Sequence, residues 1–355
     1  MKILDKYLLF YIVKSSFLAL FSLVLIFIFF QFIEELGEID KRSYTLSKAI
    51  EYISFLIPSF FNSLVVLSIL IGTVFSIGQL NSNKELQIYH TGSISQKDII
   101  IKTLKYPFLL STGLIIFLEL ITPQTLTFAS QIKNQSLGKN SFQETNKAWF
   151  KKENEILFLN KDINDNYYFK LFNIESINLL DLTIGEEAYF SGNNLVAGDL
   201  KKIEFNNNES FFAPIESFPD NDINFNLDFD DVNSLNKDPK TMSFFELLKI
   251  AKPSFKNGNN GKEIITEILF RFIRPLTLIG MILVAIPFIL NFQKNISIGK
   301  RIFLSIVIGI VTHLFTKIAS AVSLKFDGII LVGPIIPTLI LILTGVLLIK
   351  IRFKV

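Results

Sequence analysis

Apolar residues gather into six long tracts, at roughly 8–33, 53–80, 104–122, 268–292, 302–322 and 328–350. Each reaches about 18 residues or more, the length at which a helix rising about 1.5 Å per residue crosses a hydrocarbon core about 30 Å thick. The pattern predicts six membrane spans in two groups of three, 1–122 and 263–355, with an acidic, Asn-rich stretch over 123–262 between them. The first tract is too long for the apolar region of a signal peptide and no small-residue cleavage site follows it, so it is expected to stay as a helix.

Inside the central stretch the period changes. From about 145 to 232, short alternating runs are broken by Asn, Asp and Gly, which is the signature of strands and turns. Ala148-Trp149-Phe150 and Glu155-Ile156-Leu157-Phe158-Leu159 read as a strand pair around Glu153-Asn154. Tyr167 to Phe172, Glu187 to Phe190 and Lys202 to Phe205 continue the series. Without long helices between them, such strands favour an antiparallel sandwich or jelly roll. The fold class expected is therefore an α+β membrane protein, with an antiparallel β jelly-roll-like domain inserted between spans three and four. An open edge of that domain is available for pairing with a strand of another chain. Ser243-Phe244-Phe245-Glu246 has the spacing of a capping box, so a short amphipathic helix over about 244–251 is expected to lead back toward span four.

Composition then narrows the class. Half of the 355 residues are hydrophobic, 37 are Phe, none is Cys, and mean hydropathy is +0.44. These values exclude a disulfide scaffold, a disordered chain and a thiolate metal site. A net charge of +3 gives no reason to expect nucleic acid. The distribution of positive charge says more. Lys2, Lys6 and Lys14, then Lys84, Lys97, Lys102 and Lys105, then Lys294, Lys300 and Arg301, then Lys350, Arg352 and Lys354 all fall on one side of a six-span plan. By the positive-inside tendency that side is cytoplasmic, which places both termini in the cytoplasm and the inserted domain in the periplasm of an inner-membrane protein.

Chemistry-bearing patterns are sparse. No G-x-x-x-x-G-K-[ST] phosphate loop, no H-E-x-x-H pair and no G-x-S-x-G elbow occurs, so neither ATP hydrolysis, zinc chemistry nor serine hydrolysis has a home here. The chain is not expected to be an enzyme or to carry a cofactor or metal. Ionisable groups inside apolar tracts stand out instead, because they are costly in hydrocarbon unless they face a partner or a polar path. Glu119 lies four residues before Pro123, and His313 and Lys317 are one helical turn apart. Arg271 and Arg274, at the start of span four, read as anchors at the outer interface. After span two, residues 83–92 can form a short amphipathic helix that includes Leu86 and Tyr89 and stops at Gly92, a rigid element suited to docking on another subunit.

Several of these segments together resemble the LptF/LptG permeases of lipopolysaccharide export. The residues that carry the likeness are Gly72-Thr73-Val74-Phe75-Ser76-Ile77-Gly78-Gln79-Leu80, then Asn83-Lys84-Glu85-Leu86 and Gly92-Ser93-Ile94-Ser95. Glu119 to Pro123, Arg274-Pro275-Leu276, Ile286-Pro287-Phe288 and Pro334 to Pro337 follow in order. The opening Ile3-Leu4-Asp5-Lys6-Tyr7 and Ala148 to Asn154 resemble the LptG branch. Where family members carry basic residues near the outer end of span one, this chain has Gln31, Glu34 and Glu35, with Lys41 and Arg42 following.

The resemblance implies a permease that extracts lipopolysaccharide from the inner membrane, with the paralogous permease, an LptB ATPase dimer that binds the ATP, and LptC as partners. Lipid would enter between the permeases, notably along spans one and five, and pass to the jelly rolls. Coupling to the ATPase would fall on Glu85, Leu86, Tyr89, His90 and Gly92. The substrate path would draw on Lys41, Arg42, Glu119, Lys317 and Lys325, since phosphates need cationic partners when they lose water. Two rival classes are a membrane-embedded hydrolase or transferase and a permease of another lipid or lipoprotein export ABC system. The first lacks a cluster of His, Asp or Ser, and the second commonly places its insert between the first two of four spans.

Overall fold

The computed structural model describes residues 2–85, 96–137, 147–152, 154–161, 167–175, 178–191, 194–204, 216–223, 239–256, 261–290, 297–325 and 332–353. Its helices are α1 (Lys2–Leu36), α2 (Leu46–Ser82), α3 (Gln96–Ser136), α4 (Phe244–Lys256), α5 (Gly261–Ile289), α6 (Ile298–Lys325) and α7 (Val332–Phe353), and its strands are β1 (Lys147–Lys152), β2 (Glu155–Lys161), β3 (Tyr167–Glu175), β4 (Asn178–Ser191), β5 (Asn194–Glu204) and β6 (Glu216–Ile223). All helices but α4 are long and apolar enough to cross a membrane, six among the described residues. They coincide with the six predicted tracts, so spans four to six are α5, α6 and α7.

The chain divides into two compact units. The first is 1–40, 45–130 and 266–355, and the second is 41–44 and 131–265. The third span's helix continues past the expected boundary at 123. Hydropathy falls there, but helicity does not: α3 runs through Pro107 and Pro123 to Ser136. Its tail of Gln, Leu, Ala and Lys favours helix without favouring lipid. Likewise α2 begins at Leu46, seven residues before the apolar tract, where the Thr45 hydroxyl accepts from the Lys48 amide as an N-cap.

The first unit is held by a continuous apolar core. Ile12 of α1, Val65, Ile69, Leu70, Val74, Ile77 and Leu80 of α2, and Leu278, Ile282, Ala285 and Ile286 of α5 are almost wholly buried in it. Helices α2 and α5 are the central pair: 61% of the most apolar stretch of each is buried, against 17% in α1 and in α6. At Gly72 the backbone of α1 at Ser16 comes so close that a Cβ would overlap it. The Ser76 hydroxyl donates to Tyr11 O at 3.0 Å on the same seam. This is the small-residue contact by which membrane helices approach when both surroundings are equally apolar.

In the second unit six strands form one antiparallel sheet in the order β1-β2-β3-β4-β5-β6. The pair expected around Glu153-Asn154 is present, with Lys152 opposite Glu155. Each described strand lies beside its sequence neighbour, a meander, and the crossovers of a jelly roll do not occur among them. Leu157, Leu159, Phe169, Ala188 and Leu200 make the buried face, and Phe169 packs over Gly185 on the facing strand. Pro219 sits in β6, an edge strand among those described, where its missing N–H is least harmful. The capping box before α4 is formed in both directions: Ser243 N donates to Glu246 Oε2 at 2.7 Å, and Glu246 N donates to Ser243 Oγ at 3.2 Å. The helix it opens runs five residues beyond the expected end, through Pro253 to Lys256.

Candidate functional site

Polar contacts of the helical unit concentrate where α2 ends. Lys84, just beyond the last turn, takes a left-handed conformation (φ 62°), with its amide donating to Asn81 O at 3.1 Å while that of Asn83 donates to Gln79 O at 2.9 Å. This satisfies carbonyls that a helix terminus leaves open. Three side-chain ties then fasten this terminus to other helices. Asn81 Nδ2 donates to Ile289 O of α5 at 2.9 Å, and Arg301 Nη2 of α6 donates to Ser82 Oγ at 2.6 Å. Tyr7 Oη of α1 donates to Glu85 Oε2 at 3.0 Å, and Asn83 Nδ2 reaches the other Glu85 oxygen at 3.1 Å. Nearby, Asp5 of α1 pairs with Lys102 of α3 at 2.7 Å.

Of the residues expected to couple to a partner, Glu85 is thus the one whose surroundings are described, and it touches α1 of its own chain. Leu86, Tyr89, His90 and Gly92 lie outside the described residues.

Farther along the unit a second polar group joins α3, α5 and α2. The Arg271 guanidinium, only 9% exposed, bonds Glu119 of α3 through Nη1 and Glu267, one turn earlier, through Nε at 3.0 Å. Arg274 Nη1 donates to Asn62 Oδ1 of α2 at 2.9 Å. This corrects the reading of Arg271 as an interface anchor that extends its charge into water. A buried guanidinium needs carboxylate partners, and the four-residue spacing from Glu267 together with Glu119 across the interface supplies two. Glu119 accordingly holds α3 to α5.

The expected substrate-path cations fall in three places along the chain. Lys41 and Arg42 are exposed in the turn between α1 and α2, which belongs to the second unit. There Arg42, at φ 58°, donates from Nη1 to Leu137 O at 2.8 Å beyond the end of α3, a favourable place for a cation because helix C-termini carry partial negative charge. His313 and Lys317 are exposed on α6, among exposed Ile310, Val311, Leu314 and Ile318. Lys325 ends α6, and its side chain lies outside the described residues.

Sequence reasoning missed the Tyr7–Glu85, Asp5–Lys102 and Arg301–Ser82 ties, which join residues far apart in the chain. One usable signal was present: Gly72 and Ser76, four apart, form a small-residue pair of the kind that marks close helix approach.

Six membrane-length helices tied by buried polar contacts, with an antiparallel sheet following the third in sequence, are the architecture of a polytopic membrane protein. The chain matches the family model described as lipopolysaccharide export system permease LptF/LptG over residues 6–351, and it belongs to that family. It is similar to the lipopolysaccharide export system permease protein LptG of Haemophilus influenzae, at 22% identity over 348 residues, 96% of each chain. As a member of this family it is an inner-membrane transport permease of the lipopolysaccharide export system and not by itself a catalytic enzyme.

Proposed function

We propose that this chain is the LptG-type permease subunit that lifts lipopolysaccharide out of the inner membrane, with a separate ATPase docking on the segment after α2. The observation that carries this reading is the family match over 6–351, supported by the likeness of the whole chain to an LptG protein. The lipid path runs along the exposed apolar faces of α1 and α6, with Lys317 as a cation for its phosphates, and continues into the inserted sheet. There an edge strand pairs with the next β domain of the bridge, in the manner of β-augmentation. The paralogous permease supplies the other wall, and LptB and LptC are the remaining partners. The basic flanks support cytoplasmic termini and a periplasmic sheet.

The test is purification of the tagged chain with its neighbours from the membrane, followed by mass spectrometry of bound lipid. An ATPase and lipopolysaccharide in the preparation are expected; a complex with another class of lipid would transfer the reading to a different export system. For topology, cysteine placed at exposed Asn154 should react with a membrane-impermeant thiol reagent from the periplasm, and cysteine at exposed Asn83 should not.

A further inference from the structure

Arg301 is a buried cation that nothing in the transport reading uses. It stands in the first turn of α6, the positive end of its own helix and an unfavourable place for a guanidinium. Only 3% of it is exposed. Among the described residues its side chain makes one hydrogen bond, the 2.6 Å contact with Ser82 Oγ at the last turn of α2, where that helix's partial negative charge lies. Nε and Nη1 are buried without a hydrogen-bond partner among the described residues. Neither 86–95 nor 291–296, the segments beside this place in sequence, contains Asp or Glu. The side chain lies on Gly78, where a Cβ would be 2.5 Å from Arg301 Cδ and 2.8 Å from Nη1. Two idle buried donors oppose stability, since each forfeits its hydration without a replacement bond. A Met of similar length would fill the same space without that penalty.

We infer that Arg301, seated on Gly78, is a positioning residue for transport, making the foot of α6 follow the end of α2. The inference rests on the permease reading above, in which the segment after α2 receives the ATPase and α6 lines the lipid path. The end of α2 runs directly into that segment, so a displacement there is passed to α6 through the guanidinium. The two idle donors give Arg301 the capacity to change partners as the helices shift. Asn81 and Glu85 hold the same terminus to α5 and α1, so Arg301 is the tie specific to α6 among these contacts.

The experiment uses the whole transporter in lipopolysaccharide-containing proteoliposomes, with ATP hydrolysis and lipid release to the bridge protein measured together. Arg301→Met is expected to assemble, to hydrolyse ATP at the wild-type rate or faster, and to release at least tenfold less lipid per ATP. Gly78→Ala, which pushes Cδ off its seat, should shift the same ratio, and Gly78→Ala with Arg301→Met should be no worse than Arg301→Met alone, because both break one contact. Should the Met variant fail to assemble, Ser82→Ala and Gly78→Ala carry the test through the same ratio. Wild-type release per ATP in these variants, or hydrolysis and release falling in proportion, would overturn the inference. A wild-type transporter that releases no lipid on adding ATP would instead overturn the permease reading itself.

Discussion

Helices α2 and α5 differ from α1 and α6 in how they are used far more than in how apolar they are. All four are apolar enough to span a bilayer, yet 61% of the apolar stretch is buried in the first pair and 17% in the second. Lipid tails are as apolar as Leu, so hydropathy gives no reason to bury one helix rather than another; close backbone approach and polar ties decide it. Helix α2 has both, with Gly72 and Ser76 against α1, Asn62 against α5, and Asn81 and Ser82 at its end. Helices α1 and α6 are fastened along one side and leave Phe10, Leu18, Phe21, Leu25, Phe29 and Phe30 of α1, and Ile310, Val311, Leu314 and Ile318 of α6, exposed. The central pair is therefore the part of the unit that stores stability, and the outer pair is the part with faces to offer to lipid or to a second permease.

The strongest way to break this contrast is through the buried ions. Glu119→Leu removes one of the two carboxylates on Arg271 and leaves a guanidinium that is 9% exposed short of a partner. Breaking a buried pair from one side costs about 3–5 kcal/mol, and Glu267, which remains, holds the loss near the lower end, about 3 kcal/mol. A clear fall in melting temperature in detergent is expected. The triple change Glu119→Leu, Glu267→Leu and Arg271→Leu should recover most of that loss, because all three charges of the network are then removed together. A triple variant as unstable as the single one would mean that the network contributes by something other than charge pairing.

Glycines provide a finer division. Gly72→Leu would drive a side chain into the α1 backbone, and overpacking of this kind costs about 1–3 kcal/mol. Gly113 of α3 has nothing within 4 Å of a Cβ, so Gly113→Ala should stabilise by about 1 kcal/mol through helix propensity alone. Opposite signs in a thermal or denaturant series would confirm that close approach, not glycine content, marks the central helix. Equal effects would remove the distinction.

How far the sequence foretold these relations follows from their range. Spans, the β1–β2 turn and the Ser243–Glu246 cap depend on neighbours a few residues apart, and tract length, alternation and S-x-x-E spacing report them directly. Falling hydropathy at Pro123 marks the end of the apolar tract but not of α3, which continues to Ser136. Arg271 reads from sequence as an outer-interface anchor because, of its two carboxylate partners, only Glu267 is one turn away, whereas Glu119 is 152 residues distant. Arg42 Nη1 donates to the carbonyl of Leu137, 95 residues on, a contact that no local pattern announces. Long-range polar ties have no period, so pattern reading has nothing to detect.

The smallest expected change in stability comes from the outer pair, and it is the most telling about function. Lys317 is exposed on α6 among apolar neighbours, so Lys317→Glu should alter stability by no more than about 0.5 kcal/mol. If α6 lines the lipid path, the same change reverses the charge offered to a phosphate and should weaken photo-crosslinking of lipopolysaccharide several-fold while assembly persists. Lys41→Glu with Arg42→Glu is a less clean probe, because Arg42 also bonds the carbonyl beyond α3, and losing that bond affects folding as well as any lipid contact. Wild-type crosslinking in Lys317→Glu would mean that the exposed face of α6 meets ordinary membrane lipid or the second permease. The cations for the phosphates would then have to come from that partner, and α1 and α6 would differ from α2 and α5 in burial without differing in transport.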